Sequence, residues 1–172
     1  DKERNTWVKE GTGWKYRLVN GTYFSGKTVQ DPATGKFVEQ VAWKKIRNAW
    51  WAFGADGYLR TGWVYDYSAG KWYYVDENAG MKTGWYLDPQ DGKWYYLDQI
   101  TGEMLTDWQW IADWGYMYLN PYAPQPTWTY DEESKKWSYI EGVGRPYGSL
   151  YMDEWTPDGY YVNKDGVWDP SK

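Results

Sequence analysis

Gly62 to Val75 reads GWVYDYSAGKWYYV, and Gly84 to Leu97 reads GWYLDPQDGKWYYL. The two phrases are offset by 22 residues and stay in register. A phrase that returns at a fixed interval implies a structural unit that returns with it, each copy burying its apolar face against the next. Fainter copies extend the series. Trp7…Trp14 and Trp43…Trp50-Trp51 precede the clear pair. Trp108…Tyr116-Met117-Tyr118, Trp128…Trp137-Ser138-Tyr139 and a shortened Trp155…Tyr160-Tyr161 follow it. The connectors repeat as well: Leu59, Met81 and Met104 each stand two residues before a Thr, and the next Trp follows.

Each unit reads as a β-hairpin. Its arms are short and rich in Trp, Tyr and Val, which favour strands. Its links carry turn residues, as in Asp88-Pro89-Gln90-Asp91-Gly92 or Ser68-Ala69-Gly70. A period of two puts Trp72 and Tyr74 on one face and Tyr73 and Val75 on the other. No stretch shows a helical period. A lone hairpin is marginal in water, so a row of them must be stabilised by rings covering their neighbours. The 16 Trp and 19 Tyr supply that area, because aliphatic residues are scarce. Both side chains keep a polar atom that needs a partner, which suits thin layers with half-exposed rings.

The expected class is all-β, a solenoid of stacked hairpin repeats without substantial helix. Residues 1–42 form a divergent first repeat with an insertion, where Thr22–Val41 can supply an extra hairpin. Residues 43–119 hold the regular repeats, 120–127 (NPYAPQP at its core) a proline-rich spacer, and 128–172 the last repeats and a cap.

Several function classes are excluded. With no His and no Cys, the chain lacks disulfides, Cys/His metal sites, Ser–His–Asp or Cys–His catalysis and any histidine base. A net charge of −5 without a basic stripe argues against nucleic acid. No apolar run is long enough to span a bilayer as a helix. No cofactor or metal is expected, since the acidic residues Asp76, Glu77, Asp88 and Asp98 recur at turns and not as a regular calcium loop. Two carboxylates suffice for glycoside hydrolysis, but no singular acidic constellation stands out, and the expectation is that this segment is not an enzyme. The chain begins at Asp1 without Met, as a processed form does; attached domains elsewhere are compatible with it.

The phrase T-G-W-x8-W-Y-Y-[VL]-D, with G-x-M-x-T-G leading into the next Trp, resembles the cell-wall-binding repeats of Gram-positive surface proteins. These are also known as choline-binding repeats and are close in pattern to glucan-binding repeats. The ending Thr156-Pro157-Asp158-Gly159-Tyr160-Tyr161-Val162 followed by Gly166-Val167-Trp168 resembles the terminal repeat of such arrays. The resemblance is strong from about Trp43 to Leu119 and at the C-terminus. It implies a left-handed solenoid, and a secreted protein held at the cell wall or surface of a Gram-positive bacterium. It also implies ligand sites between consecutive hairpins. Each is made by two Trp of one repeat, the first aromatic after the second Trp of the next, and a connector Met or Leu.

Carried over residue by residue, the resemblance implies one site from Trp43, Trp50 and Tyr73 with Leu59. A second joins Trp63, Trp72 and Tyr95 with Met81. A third, Trp85, Trp94 and Met104, meets Met117 where an aromatic is expected, so it is altered. At Trp108 and Tyr116 the partner position falls on Ser138, and no standard site is expected. Trp128, Trp137 and Tyr161 make one near the end, and Trp7, Trp14 and Trp51 one at the start if the insertion leaves them adjacent.

The chemistry of such sites is simple. A quaternary ammonium offers no hydrogen-bond donor and is recognised by aromatic faces around its charge. The same rings stack on sugars, where turn groups such as Asp66, Asp88, Asp91 or Asn78 would orient hydroxyls. Expected partners are therefore choline or phosphocholine on teichoic acids, or a glucan-like or other wall glycan. A third alternative uses the aromatic faces as a protein-binding adhesin surface. Oligomeric state is open.

Overall fold

Turn chemistry written in the sequence decides where the strands of this protein stop. The computed structural model describes residues 5–123, 127–140 and 145–172, and of 127–129 and 138–140 the backbone alone. An aspartate opens five turns. Asp31, Asp66, Asp88, Asp98 and Asp131 each accept, at the backbone carbonyl, the N–H of the residue four positions on, at 2.7–2.9 Å. Four of those residues are Gly35, Gly70, Gly92 and Gly102; the fifth is Lys135, which takes a φ of 58°. The aspartate carboxylates of these turns also accept N–H groups inside the loop, as Asp98 does from Ile100 and Thr101. Two turns are tighter, the two-residue loops Gly11-Thr12 and Arg47-Asn48; Arg47 and Asn48 are both at positive φ, which suits a hairpin's twist.

The described residues form eighteen short strands: β1 (Thr6–Glu10), β2 (Gly13–Arg17), β3 (Lys27–Gln30), β4 (Phe37–Gln40), β5 (Ala42–Ile46), β6 (Ala49–Phe53), β7 (Leu59–Arg60), β8 (Gly62–Asp66), β9 (Lys71–Asp76), β10 (Gly80–Met81), β11 (Gly84–Leu87), β12 (Trp94–Leu97), β13 (Asp107–Ile111), β14 (Gly115–Leu119), β15 (Thr127–Asp131), β16 (Lys136–Ile140), β17 (Glu154–Trp155) and β18 (Tyr161–Val162). They pair as eight small antiparallel sheets, six of two strands and two of three. The described residues hold no helix. The fold is thus all-β and built of hairpin repeats. Thr22–Val41 contains the extra hairpin, β3–β4.

The register places the rings. Trp63 lies opposite Tyr74 and Tyr65 opposite Trp72 on one face, while Val64 lies opposite Tyr73 on the other. Cross-strand ring pairs of this kind are what hold a hairpin together; Trp63 and Tyr74 meet at 5.3 Å between centroids, Tyr65 and Trp72 at 5.1 Å.

The chain divides into two units. The first comprises 1–84 and 97–103, the second 85–96 and 104–172. In the first, Val41, Ala52, Val64 and Val75 form one core, with Trp43 and Trp51 against it. Tyr16, Ile46 and Phe53 form another. The inserted β4 is tied down by polar contacts: Glu39 takes the Arg60 guanidinium in a fork at 2.8 and 3.0 Å, and Gln40 bonds Asp66 and Ser68. The second unit centres on Ile111, Met117, Leu119 and Leu150.

A third strand follows the hairpin in the regular repeat. Met81 of β10 pairs with Val75 of β9, and Lys82 N–H donates to Tyr74 at 2.8 Å. In the second unit Leu119 of β14 bridges to Leu150, and Tyr151 N–H donates to Tyr118 at 3.0 Å. The two patterns superpose position for position. Leu150 is therefore the connector residue of the β13–β14 repeat, delayed by an insertion that contains β15–β16. A Cβ at Gly102 would collide with the Met81 thioether, and one at Gly148 with that of Met104, so the two glycines hold equivalent places. Buried Asn120 staples the base of the insertion: its Nδ2 donates to the carbonyls of Tyr122, Arg145 and Pro146.

Candidate ligand clefts between hairpins

Three aromatic clefts lie within the units. The first, of 280 Å³, is lined by Trp43, Trp50, Asp66, Tyr73, Met81, Ile100 and Thr101. Trp43 comes from β5, Trp50 from β6 and Tyr73 from β9, so successive hairpins supply the walls. Trp43 and Tyr73 meet edge to face at 5.1 Å. Trp50 is 43% exposed, leaving a ring face open to a ligand. Trp43 Nε1 donates to Asp66 at 3.0 Å, which fixes the indole and satisfies its polar atom. Burial alone would raise the Asp66 pKa, but hydrogen bonds from Gln40, Ser68, Trp43 and Ala69 outweigh it and hold the carboxyl below its ordinary range. Burial and then the charges of Asp66 and Glu103 push the Tyr73 phenol up, so it stays neutral.

The second cleft, of 260 Å³, is lined by Trp85, Trp94, Trp114, Met117, Leu150, Met152 and Asp165. Trp85 and Trp94 stand perpendicular at 6.3 Å. Met117, 1% exposed, fills the place that Tyr73 has in the first cleft, and Trp114 from the turn before β14 supplies the third ring. The third cleft, of 340 Å³, is lined by Trp108, Tyr116, Asp158, Tyr160 and Trp168. Trp108 and Tyr160 meet at 5.9 Å, Tyr160 and Trp168 at 6.3 Å. Trp108 Nε1 donates to Asp158 at 2.8 Å, repeating the Trp43–Asp66 pairing. Asp158 is likewise held low: desolvation opposes it, and the Thr156 hydroxyl and Trp108 indole outweigh that.

The structure brings Trp43, Trp50 and Tyr73 together as the sequence reading expected, but with Met81 as their connector residue. Leu59 packs in the core around Phe53 instead. The reason is strand pairing: Leu59 lies opposite Phe53, on the hairpin before the cleft, whereas Met81 follows the hairpin that donates Tyr73. Trp63, Trp72 and Met81 belong to the first unit and Tyr95 to the second, where its hydroxyl donates to Asp91. Trp85 and Trp94 share a cleft; Met104 is buried beside Gly148, and Leu150 takes the connector place. Trp7 meets Trp14 at 6.5 Å and Trp51 at 5.4 Å, so the first insertion leaves them adjacent. The Trp128 side chain lies outside the described residues. Trp137 packs on Tyr130 of its own hairpin, and Tyr161 on Trp155.

The sequence reading missed three kinds of lining residue. Asp66 was legible as a turn group able to orient a sugar hydroxyl and Asp158 as a turn residue, but neither as the acceptor of an indole N–H. Trp114 sits in the turn just before β14, where the β8–β9 turn has Gly70. The cleft at Trp108 and Tyr116 was not expected because Ser138 holds the aligned position; Tyr160 and Trp168 of the C-terminal repeat fill the role. Among the described residues no group of carboxylates is placed to hold a metal ion. None of their helices is long and apolar enough to cross a membrane.

No family model and no curated protein matches the chain. Solved structures do. CbpJ from Streptococcus pneumoniae TIGR4 is 27% identical over 96% of this chain and 58% of its own, with a TM-score of 0.42. Choline binding protein F from Streptococcus pneumoniae is 30% identical over 97% of this chain and 57% of its own, at 0.36. The chain resembles the choline-binding type of cell-wall repeat. The pneumococcal cell wall endolysin from phage Cp-1, solved with choline, is 26% identical over 99% of this chain and 39% of its own, at 0.48. The chain thus spans between 39% and 58% of these relatives. At TM-scores below 0.5 these likenesses decide nothing about the ligand; the side chains lining the clefts must do so.

Proposed function

We propose that the chain is a non-catalytic cell-wall-binding module, and that its clefts take the trimethylammonium of choline or phosphocholine carried on teichoic acids at a Gram-positive cell surface. One observation carries this reading. Each of the three clefts presents at least three aromatic rings and one carboxylate, Asp66, Asp165 or Asp158, and no Lys or Arg lines any of them. Rings with a nearby negative charge favour a soft cation over a neutral sugar. In two clefts the carboxylate is already engaged by an indole N–H, which leaves little directional bonding for hydroxyls. The full solenoid expected for the array belongs to the same proposal.

Magnitudes fit a repeated site. A cation–π contact contributes about 0.5–2 kcal/mol, so three rings before the cost of binding give roughly millimolar affinity. A polymer that repeats its ligand raises the apparent affinity by about 10²–10⁴ through effective concentration. The test is a titration with choline to tens of millimolar, read by tryptophan fluorescence, beside its neutral isostere 3,3-dimethylbutanol. Saturation by choline alone supports the cages, and Trp50→Ala should then remove part of the signal. Equal responses to both, or none, would sink the reading and favour a wall glycan.

A further inference from the structure

The second cleft does not end at its rings. Trp94, Leu150 and Met152 also line an adjoining basin of 370 Å³, completed by Gly92, Lys93, Arg145, Asp153 and Glu154. Arg145 reaches this basin from the C-terminal end of the insertion, at the base that Asn120 staples. The acids of the basin are occupied. Glu154 accepts from Arg145 through Oε1 and from Met152 N–H through Oε2, and Asp153 accepts the Tyr161 hydroxyl. The bases keep donors to spare. Arg145, its guanidinium 3.7 Å over the Tyr151 ring, commits one nitrogen to Glu154 and has further N–H groups. Lys93 makes no ion pair among the described residues; its backbone is fixed by the Asp88 and Asp91 turn. The two carboxylates balance the two bases in charge, and the donors the basin leaves uncommitted are those of Lys93 and the remaining Arg145 nitrogens.

We infer that this basin is a phosphate subsite, so that the junction at Trp85, Trp94 and Trp114 takes a whole phosphocholine headgroup where the other clefts take the ammonium alone. The inference rests on the choline reading above. Its logic is the sequence of charges along one continuous surface: a carboxylate, Asp165, with the rings, then Lys93 and Arg145 beyond Trp94. A phosphorylated N-methylated amino alcohol has the same order, ammonium and then phosphate, two carbons and an oxygen apart. The first and third clefts, like the second, have no Lys or Arg in their own linings.

The experiment compares affinities of the full chain at low salt for choline, phosphocholine and glycerophosphocholine, in the wild type, Lys93→Gln and Trp114→Ala. Phosphocholine represents the free monoester, and glycerophosphocholine the diester by which the headgroup is carried on a polymer or lipid; the one that gains more identifies the source. The subsite predicts a class of sites about threefold to tenfold tighter for a phosphate ester than for choline. Lys93→Gln should erase that gain and leave choline binding unchanged, and Trp114→Ala should weaken all three ligands at this class of site about tenfold. Equal affinity for choline and its phosphate esters in the wild type, or a gain that survives Lys93→Gln, overturns the subsite and leaves the cages standing. If none of the three ligands binds, the choline reading itself fails.

Discussion

The first and second clefts are the same junction built two ways. Both stand two Trp of one hairpin against the second strand of the next: Trp43, Trp50 and Tyr73 in one, Trp85, Trp94 and Met117 in the other. Both close with a connector residue paired to the position two past Tyr73 or Met117: Met81 with Val75, Leu150 with Leu119. In the first, residues 76–80 separate the connector from its partner strand; in the second, residues 120–149 intervene. The backbone bonds are nonetheless the same. The comparison teaches that the repeat is defined by its hydrogen-bonded frame, and that rings are exchangeable within it. Where the tyrosine position holds Met117, a ring comes from the turn instead, Trp114.

The comparison can be broken most severely at Asn120. It stands where Asp98 stands in the regular repeat, each accepting and donating across its connector. Asn120 also holds three carbonyls of the insertion while only 3% exposed. Asn120→Ala should cost about 1–3 kcal/mol in thermal or urea unfolding, because buried carbonyls lose their donor. Asp98→Ala, at a more open turn, should cost less. Equal losses would refute the idea that the interrupted connector needs a staple.

Ring deletions sharpen the comparison next. Trp50→Ala and Trp114→Ala each remove an exposed face from one cleft, and each should weaken that cleft's choline binding about tenfold. Trp114→Ala should leave the first cleft unchanged. If it weakens all sites together, the clefts are not independent.

The acid response should separate the two clefts further. The Asp66 pKa in the folded protein lies below its ordinary value of 3.8. It therefore contributes stability that is present above 3.8 and lost as pH falls through the lowered folded value. Asp66→Asn should flatten the loss of near-UV circular dichroism below about pH 4. An unchanged acid limb in Asp66→Asn would show that the Gln40, Trp43 and Ser68 bonds are worth little. The smallest effect is expected at Met117→Leu, a swap of similar volume that should cost less than about 1.5 kcal/mol and leave binding near wild type.

The sequence by itself determined the local frame. Period-two alternation, aspartate-led turns and a phrase repeating every 22 residues specify hairpins with their rings on known faces, because these are nearest-neighbour properties of the chain. The resemblance to cell-wall-binding repeats, laid over that frame, grouped Trp43 with Trp50 and Tyr73, and Trp85 with Trp94. Only the tertiary structure decided which connector closes which cleft, since the answer depends on strand pairing: Leu59 is drawn to Phe53 and Met81 to Val75. It also decided where polar groups go. An indole N–H that loses water must find an acceptor, and Asp66 and Asp158 are reached across 23 and 50 residues of chain. Alignment loses track of Leu150, Tyr160 and Trp168 for the same reason. An insertion moves a residue along the sequence without moving its place in the sheet, and packing selects by place.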